Sequence, residues 1–284
     1  MVNSWVKKII GMPSNLWLRR EFKVEYTEIK SIDIELTGRC NLNCKGCNHF
    51  SPIAEDGEIS IVELQSDLIQ LKKVLDKKIK SINLLGGEPL LNEDVVTIME
   101  LSRNIFPDTQ ILILTNGILL KNIGESFWNA AHKNNIKIEI TKYPIKFDYD
   151  LVKKEGESRG VNVHFFGRSG FVQKTLFTLP IDLDGKQDEE ESFRKCYMAR
   201  SCVTLRKGRL YPCSYAAYMY RFNNYFGRNV PVTDKDSVSI YTSTKEEILH
   251  VLGNPIPLCK YCDLNKRTYG NKWDHSSLKE EEWT

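Results

Sequence analysis

"SIDIELTGRCNLNCKGCNHF", residues 31–50, sets an apolar, β-branched run directly before three cysteines within eight positions. The first part, 31–37, reads as a strand with apolar residues at alternate positions. Cys40, Cys44 and Cys47 then follow on a loop. Three thiols are one fewer than structural zinc takes from a protein, and one fewer than a purely electron-carrying iron–sulfur cluster takes. A four-iron cluster on three thiolates leaves one iron open to another molecule. Taken alone, the run also fits a zinc site completed by a distant residue, or three unrelated buried thiols.

Outward from that stretch the strand is answered by a regular alternation. Helical spacing of apolar residues covers 60–78, 92–106, 124–135 and 149–160, and strands are predicted over 79–87, 109–117, 136–144 and 161–167. Five strand–helix repeats imply a parallel sheet crossed by helices, as an open doubly wound sheet or as a whole or partial barrel. In each of these, chemistry gathers at the carboxyl ends of the strands. The cysteine run, "GGEP" (86–89) and "TNG" (115–117) all come directly after strands, so one rim should carry them.

The chain has 284 residues, 41% hydrophobic and 27% charged, enough for a full-sized core. Its net charge of +3 is nearly balanced and no long basic run occurs, which argues against a nucleic-acid partner. No apolar stretch reaches a membrane-spanning length and the start lacks a signal-peptide core, so a soluble, cytoplasmic protein is expected. Residues 5–22 mix apolar and basic positions and predict a short helix within an N-terminal extension, 1–28.

Eight cysteines in a reducing compartment point to metal rather than disulfides. Besides the first three they are Cys196, Cys202, Cys213, Cys259 and Cys262. The polar segment 181–193 marks a junction, 202–215 predicts a hairpin turning at Lys207-Gly208, and 243–254 predicts a capped helix. The expected division is therefore 29–180 for the main domain and 181–284 for a second one.

The pattern Cys40-x3-Cys44-x2-Cys47 after the first strand, "GGEPLL" (86–91) after the second, "LTNGILL" (114–120) and "EITKYP" (139–144) occur in order. Together they resemble the radical S-adenosylmethionine enzymes over roughly residues 30–170. The resemblance implies a partial (β/α)6 TIM barrel of class α/β. It implies a [4Fe–4S] cluster on Cys40, Cys44 and Cys47 whose open iron chelates S-adenosylmethionine. Reductive cleavage of that cofactor to a 5′-deoxyadenosyl radical would start the reaction. Gly86, Gly87 and Glu88 are implied contacts to the methionyl ammonium, and Asn116 and Thr141 to ribose or carboxylate. For the last two, ordinary turn chemistry fits equally. The family commonly has an aromatic residue before the third cysteine. Here it is Gly46, and Phe50 is either its substitute near the adenine or a core residue.

Cys196-x11-Gly208-x4-Cys213, followed 45 residues later by Cys259-x2-Cys262, is similar to the auxiliary-cluster domain called twitch, a short SPASM domain. It implies a small hairpin-and-helix domain with a second cluster, expected to be [4Fe–4S], closed by Cys196, Cys213, Cys259 and Cys262. Zinc is the alternative for four thiols, and Cys202 competes with Cys196 as a ligand. A free Cys202 would be either a small buried side chain or a hydrogen-atom donor.

These likenesses imply abstraction of hydrogen from a small carbohydrate- or polyol-type substrate, with dehydrogenation assisted by the auxiliary cluster. Flavodoxin or ferredoxin is the implied electron donor. Epimerisation through Cys202, maturation of a ribosomal peptide, or a non-catalytic electron carrier are the alternatives. The roughly 28 residues before the first strand are few for a peptide-recognition domain. Lys142, Tyr143, Arg168 and Lys174 follow predicted strands, facing either substrate or solvent.

Overall fold

A computed structural model describes residues 26–55, 57–75, 78–167, 173–199 and 201–284. The helix predicted over 5–22 and Arg168 lie outside these residues. Five parallel strands open the fold: β1 (Ile29–Glu35), β2 (Ile79–Leu85), β3 (Gln110–Thr115), β4 (Lys137–Ile140) and β5 (Val163–Phe165). Between them run α1 (Ile61–Leu75), α2 (Val95–Ile105), α3 (Glu125–Lys133) and α4 (Tyr149–Ser158).

Period-two alternation decides which residues face these helices. Ile32 and Ile34 of β1, Ile82 and Leu84 of β2, Ile111 and Ile113 of β3, and Ile138 and Ile140 of β4 all have zero exposure and form one core. Against them α1 lays Leu64, Leu68, Leu71 and Leu75, spaced to share one helical stripe. Burying a side chain of this size stabilises by about 1.5–3 kcal/mol. The alternate residues of the same strands face the other way, where β3 presents Leu112 and Leu114 and its neighbours carry polar pairs. Asp33 sits opposite Asn83, and Glu139 opposite His164.

The sheet does not end at β1. In the order β5-β4-β3-β2-β1-β7-β8-β9, β7 (Val203–Arg206) pairs parallel with β1, and β8 (Arg209–Tyr211) and β9 (Val238–Ser239) continue antiparallel. The predicted hairpin is thus real: Lys207 and Gly208 both take positive φ, 46° and 69°, as a two-residue primed turn needs. It extends the main sheet across the expected junction at residue 180. The partial barrel is an open sheet, and β6 (Thr175–Thr178), in the place of a sixth parallel strand, pairs antiparallel with β10 (Thr268–Lys272) instead.

Among the described residues three further helices follow: α5 (Glu189–Lys195), α6 (Ser214–Phe226) and α7 (Lys245–Gly253). Thr244 caps α7 in a capping box with Glu247, as its sequence predicts. Helix α6 buries Tyr215, Tyr218 and Phe222 in a second core with Phe50, Leu179 and Trp283. Among the described residues no helix is long and apolar enough to cross a membrane.

Candidate cluster and cofactor site

The loop after β1 bends by left-handed residues at Asn43 (φ 44°), Gly46 (φ 61°) and Phe50 (φ 55°). Gly46 is explained by that conformation and by Glu282, whose carbonyl oxygen would lie 3.0 Å from an added Cβ. There is no room for the aromatic residue that the family resemblance leads one to expect. Phe50 is fully buried and packs its ring 5.2 Å from Tyr215 and 6.1 Å from Trp283, so it is a core residue.

The glycine turn lies flush against the start of this loop. Gly87 N–H donates to Thr37 O at 2.8 Å and Glu88 N–H to Arg39 O at 2.8 Å. A Cβ on Gly86 would meet Thr37 O at 2.6 Å, and one on Gly87 would meet Arg39 O at 2.3 Å. What comes close to these glycines is the chain's own backbone. Glu88 is fully buried and braces the next turn: its carboxylate accepts from Thr115 Oγ1 at 2.6 Å, Asn116 N at 2.9 Å and Leu90 N at 3.2 Å. Burial pushes its carboxyl up to about 7 despite these donors. Asn116 in turn donates through Nδ2 to Asn41 Oδ1 at 2.7 Å, inside the cysteine loop. Thr141 N–H donates to Thr115 O at 3.0 Å. Cys40–Cys47, Gly86–Glu88, Asn116 and Thr141 therefore form one hydrogen-bonded rim, as their placement after strands predicts.

Burial pushes the Cys40 thiol up to about 12, against hydrogen bonds from the backbone of Leu42 and Asn43. It also raises Cys44, where the Cys47 sulfur adds to the effect and Trp273, Tyr143 and Lys174 oppose it. Tyr143 Oη is 3.7 Å from Cys44 Sγ, so this residue belongs to the cysteine loop's surroundings. Lys142 instead lies 4.4 Å over the Phe165 ring.

Sequence reasoning missed what lies over the loop. Residues 273–283 run back across it: Lys45 N–H donates to Asp274 O (3.0 Å), Ser276 N–H to Asn43 O (2.8 Å) and Trp283 Nε1 to Cys47 O (2.9 Å). No local pattern announces such a contact. It also missed Glu35, which accepts from Arg221 and pairs with His49 at 2.9 Å.

The second set of cysteines lines a small cavity. Cys196, Cys213, Cys259 and Cys262 all face it, with Phe193, Met198, Ile256 and Leu258 as apolar walls. Burial raises all four thiols, Cys259 to about 12. Cys202 does not line this cavity. It precedes Val203, which pairs with Ile32, and its thiol is pushed up to about 12 by burial and by the Asp33 carboxylate. Burial likewise raises Asp33, to about 6, although Asn83 Nδ2 donates to it at 2.7 Å.

The radical SAM superfamily model matches residues 34–142, the segment that builds this rim. Residues 34–142 are a radical SAM domain. Among curated proteins, the chain is 37% identical over 142 residues to a probable GTP 3′,8-cyclase of Methanothermobacter thermautotrophicus, covering 48% of this chain and 45% of that protein. It is 29% identical over 115 residues to the GTP 3′,8-cyclase of Sulfurimonas denitrificans, covering 40% and 36%. The chain spans less than half the length of these relatives. Among solved structures, BtrN in complex with AdoMet and 2-DOIA aligns with a TM-score of 0.52 at 20% identity, covering 83% of this chain and 93% of that one, a likeness of fold.

A radical SAM domain works with a [4Fe–4S] cluster and S-adenosylmethionine, and the residues here fit that pair. Donors point at sulfur: Leu42 N lies 3.4 Å from Cys40 Sγ and Trp273 Nε1 3.2 Å from Cys44 Sγ. Thiols raised by burial give up their protons to a metal. Among the described residues, no three His, Cys, Asp or Glu side chains are gathered to share one metal ion. Zinc would hold its thiolates about 4 Å apart, given its short bonds to sulfur. A cuboidal cluster gives each sulfur its own iron.

Proposed function

We propose that this radical SAM enzyme abstracts a hydrogen atom from a small polyhydroxylated substrate and oxidises it, with a second iron–sulfur cluster accepting an electron. The observation that carries the reading is the rim itself. The loop of Cys40, Cys44 and Cys47 is held against the Gly86–Glu88 and Asn116 turns in one hydrogen-bonded unit, which supports reading the cysteines as ligands and the turns as cofactor contacts. Bound there, the cluster and S-adenosylmethionine supply the one-electron cleavage that begins hydrogen abstraction.

The remaining work falls to this chain's own groups. The main chain at Gly86 and Gly87 offers polar atoms to the methionyl ammonium, while Glu88 holds the Asn116 turn in register. Thr141 extends the same ledge towards the ribose or carboxylate. On the sheet face turned from the helices, Asp33, Asn83, Glu139 and His164 supply donors and acceptors suited to hydroxyl groups. Cys196, Cys213, Cys259 and Cys262, which line one cavity, would close a cluster with no open iron, which suits electron transfer. Flavodoxin or ferredoxin is the proposed reductant. The cyclases match less than half of this chain, so their names support the class of chemistry and leave the substrate to this chain's own residues.

Anaerobic reconstitution followed by dithionite and S-adenosylmethionine tests the reading. Release of 5′-deoxyadenosine, abolished by Cys44→Ala, is expected. Its absence from protein with a filled and reducible first cluster would mark an electron carrier instead.

One observation favours a second reaction. Cys202 stands clear of the cavity and beside Asp33, two positions before Thr204, which pairs with Asp33 on β1. In an epimerase, a thiol there would return a hydrogen atom to the substrate radical. In deuterated water, solvent deuterium in the product that disappears with Cys202→Ala marks epimerisation. A product two electrons more oxidised marks dehydrogenation.

A further inference from the structure

Trp273 is 8% exposed, and its indole N–H is a donor without acceptor capacity. A buried donor of this kind needs a partner, and here the partner is Cys44 Sγ at 3.2 Å. A neutral thiol is a weak acceptor, whereas a thiolate is a strong one. The contact is therefore built for the ionised sulfur.

The indole is also held in place with unusual care. Backbone pairing of Asp274–Ser276 with Asn43–Lys45 fixes its position along the cysteine loop, where Cys44 and His275 form an antiparallel bridge. The Tyr143 ring meets it edge-on at 5.4 Å and the His275 ring lies 4.6 Å away, two positions along the chain. His275 is tied in turn through Nδ1 to Leu42 O at 2.8 Å. Leu42 and Leu176 pack around the same ring.

We infer that Trp273, seconded by the Tyr143 hydroxyl, is a positioning residue that raises the reduction potential of the first cluster by hydrogen-bonding the Cys44 thiolate. The inference rests on Cys44 being a ligand of that cluster. Donors to a ligand sulfur withdraw charge from the metal and favour its reduced state. An electron donor then fills the cluster more readily, without any change in the open iron.

The test is an anaerobic redox titration of the full reconstituted chain, followed by electron paramagnetic resonance. The first cluster is picked out as the signal that S-adenosylmethionine perturbs. Trp273→Phe keeps an aromatic ring and removes the N–H. The expected result is a more negative midpoint for that signal, unchanged iron content, and a smaller reduced fraction at a fixed donor potential. Should Trp273→Phe fail to fold, benzothienylalanine at position 273 keeps the bicyclic shape while replacing the N–H by sulfur. An unmoved midpoint in a loaded variant overturns the inference. Failure of the radical SAM reading would look different, because the unaltered protein would then show no signal that responds to S-adenosylmethionine.

Discussion

Glu35, at the end of β1, and Arg221, on α6, form a buried ion pair across 186 residues of sequence. Their side chains are 7% and 1% exposed, with Nη1 of Arg221 donating to Oε2 at 3.1 Å and to His49 O at 2.7 Å. The guanidinium also lies 4.5 Å over the Tyr218 ring. One ion pair thus joins the first strand, the segment just after Cys47, and the helix just after Cys213.

Removing one partner leaves the other charge buried. Arg221→Ala should destabilise the fold by about 3–5 kcal/mol, read as a lower midpoint in urea. Arg221→Met together with Glu35→Leu should recover much of that loss. If the single variant unfolds at the unaltered midpoint, the pair is not a structural tie.

Gly87→Ala pushes a Cβ to within 2.3 Å of Arg39 O, a contact that only a backbone shift relieves. The expected cost is on the order of 1–3 kcal/mol. Because the displaced segment leads directly into Cys40, iron retained after reconstitution should fall with it. Gly57, with nothing within 4 Å, is the control: Gly57→Ala should leave both readings unmoved.

Glu88 predicts a pH dependence. Burial raises its carboxyl from 4.5 to about 7, so between these values the unfolded chain sheds a proton that the folded chain keeps. Folded protein then binds more protons, and stability falls as pH rises through that window, by roughly 3 kcal/mol. Asp33 acts in the same direction between 3.8 and about 6. Denaturant midpoints measured from pH 4 to 8 should show Glu88→Gln flattening the upper part of the slope and Asp33→Asn the lower part.

Of Cys196 and Cys202, only Cys196 lines the cavity. Two four-iron clusters would hold about eight irons per chain. Cys196→Ala should lower the count towards about four, because Cys196 lines the cavity, and Cys202→Ala should leave it unchanged. The reverse result would exchange the two assignments.

Much of the main domain was legible because its signals are local. Leucines at helical spacing mark α1, alternating isoleucines mark β1 to β4, and Lys207-Gly208 marks a hairpin. The rim was legible for the same reason, since each motif directly follows a strand. Pairing of β7 with β1 and of β6 with β10 is a long-range choice that no window of sequence encodes. Helix α6 escaped notice because "SYAAYMYRFNNYF" is buried on most of its surface and lacks a clear polar stripe. Trp273 and Arg221 likewise gain their meaning from partners some 200 positions away.

The covering of the cysteine loop by residues 273–283 sets a timetable for the ribosome. Trp273 follows Cys44 by 229 positions, so the nascent polypeptide displays its first three sulfurs long before their cover emerges. Iron that arrives within that interval meets an uncovered loop.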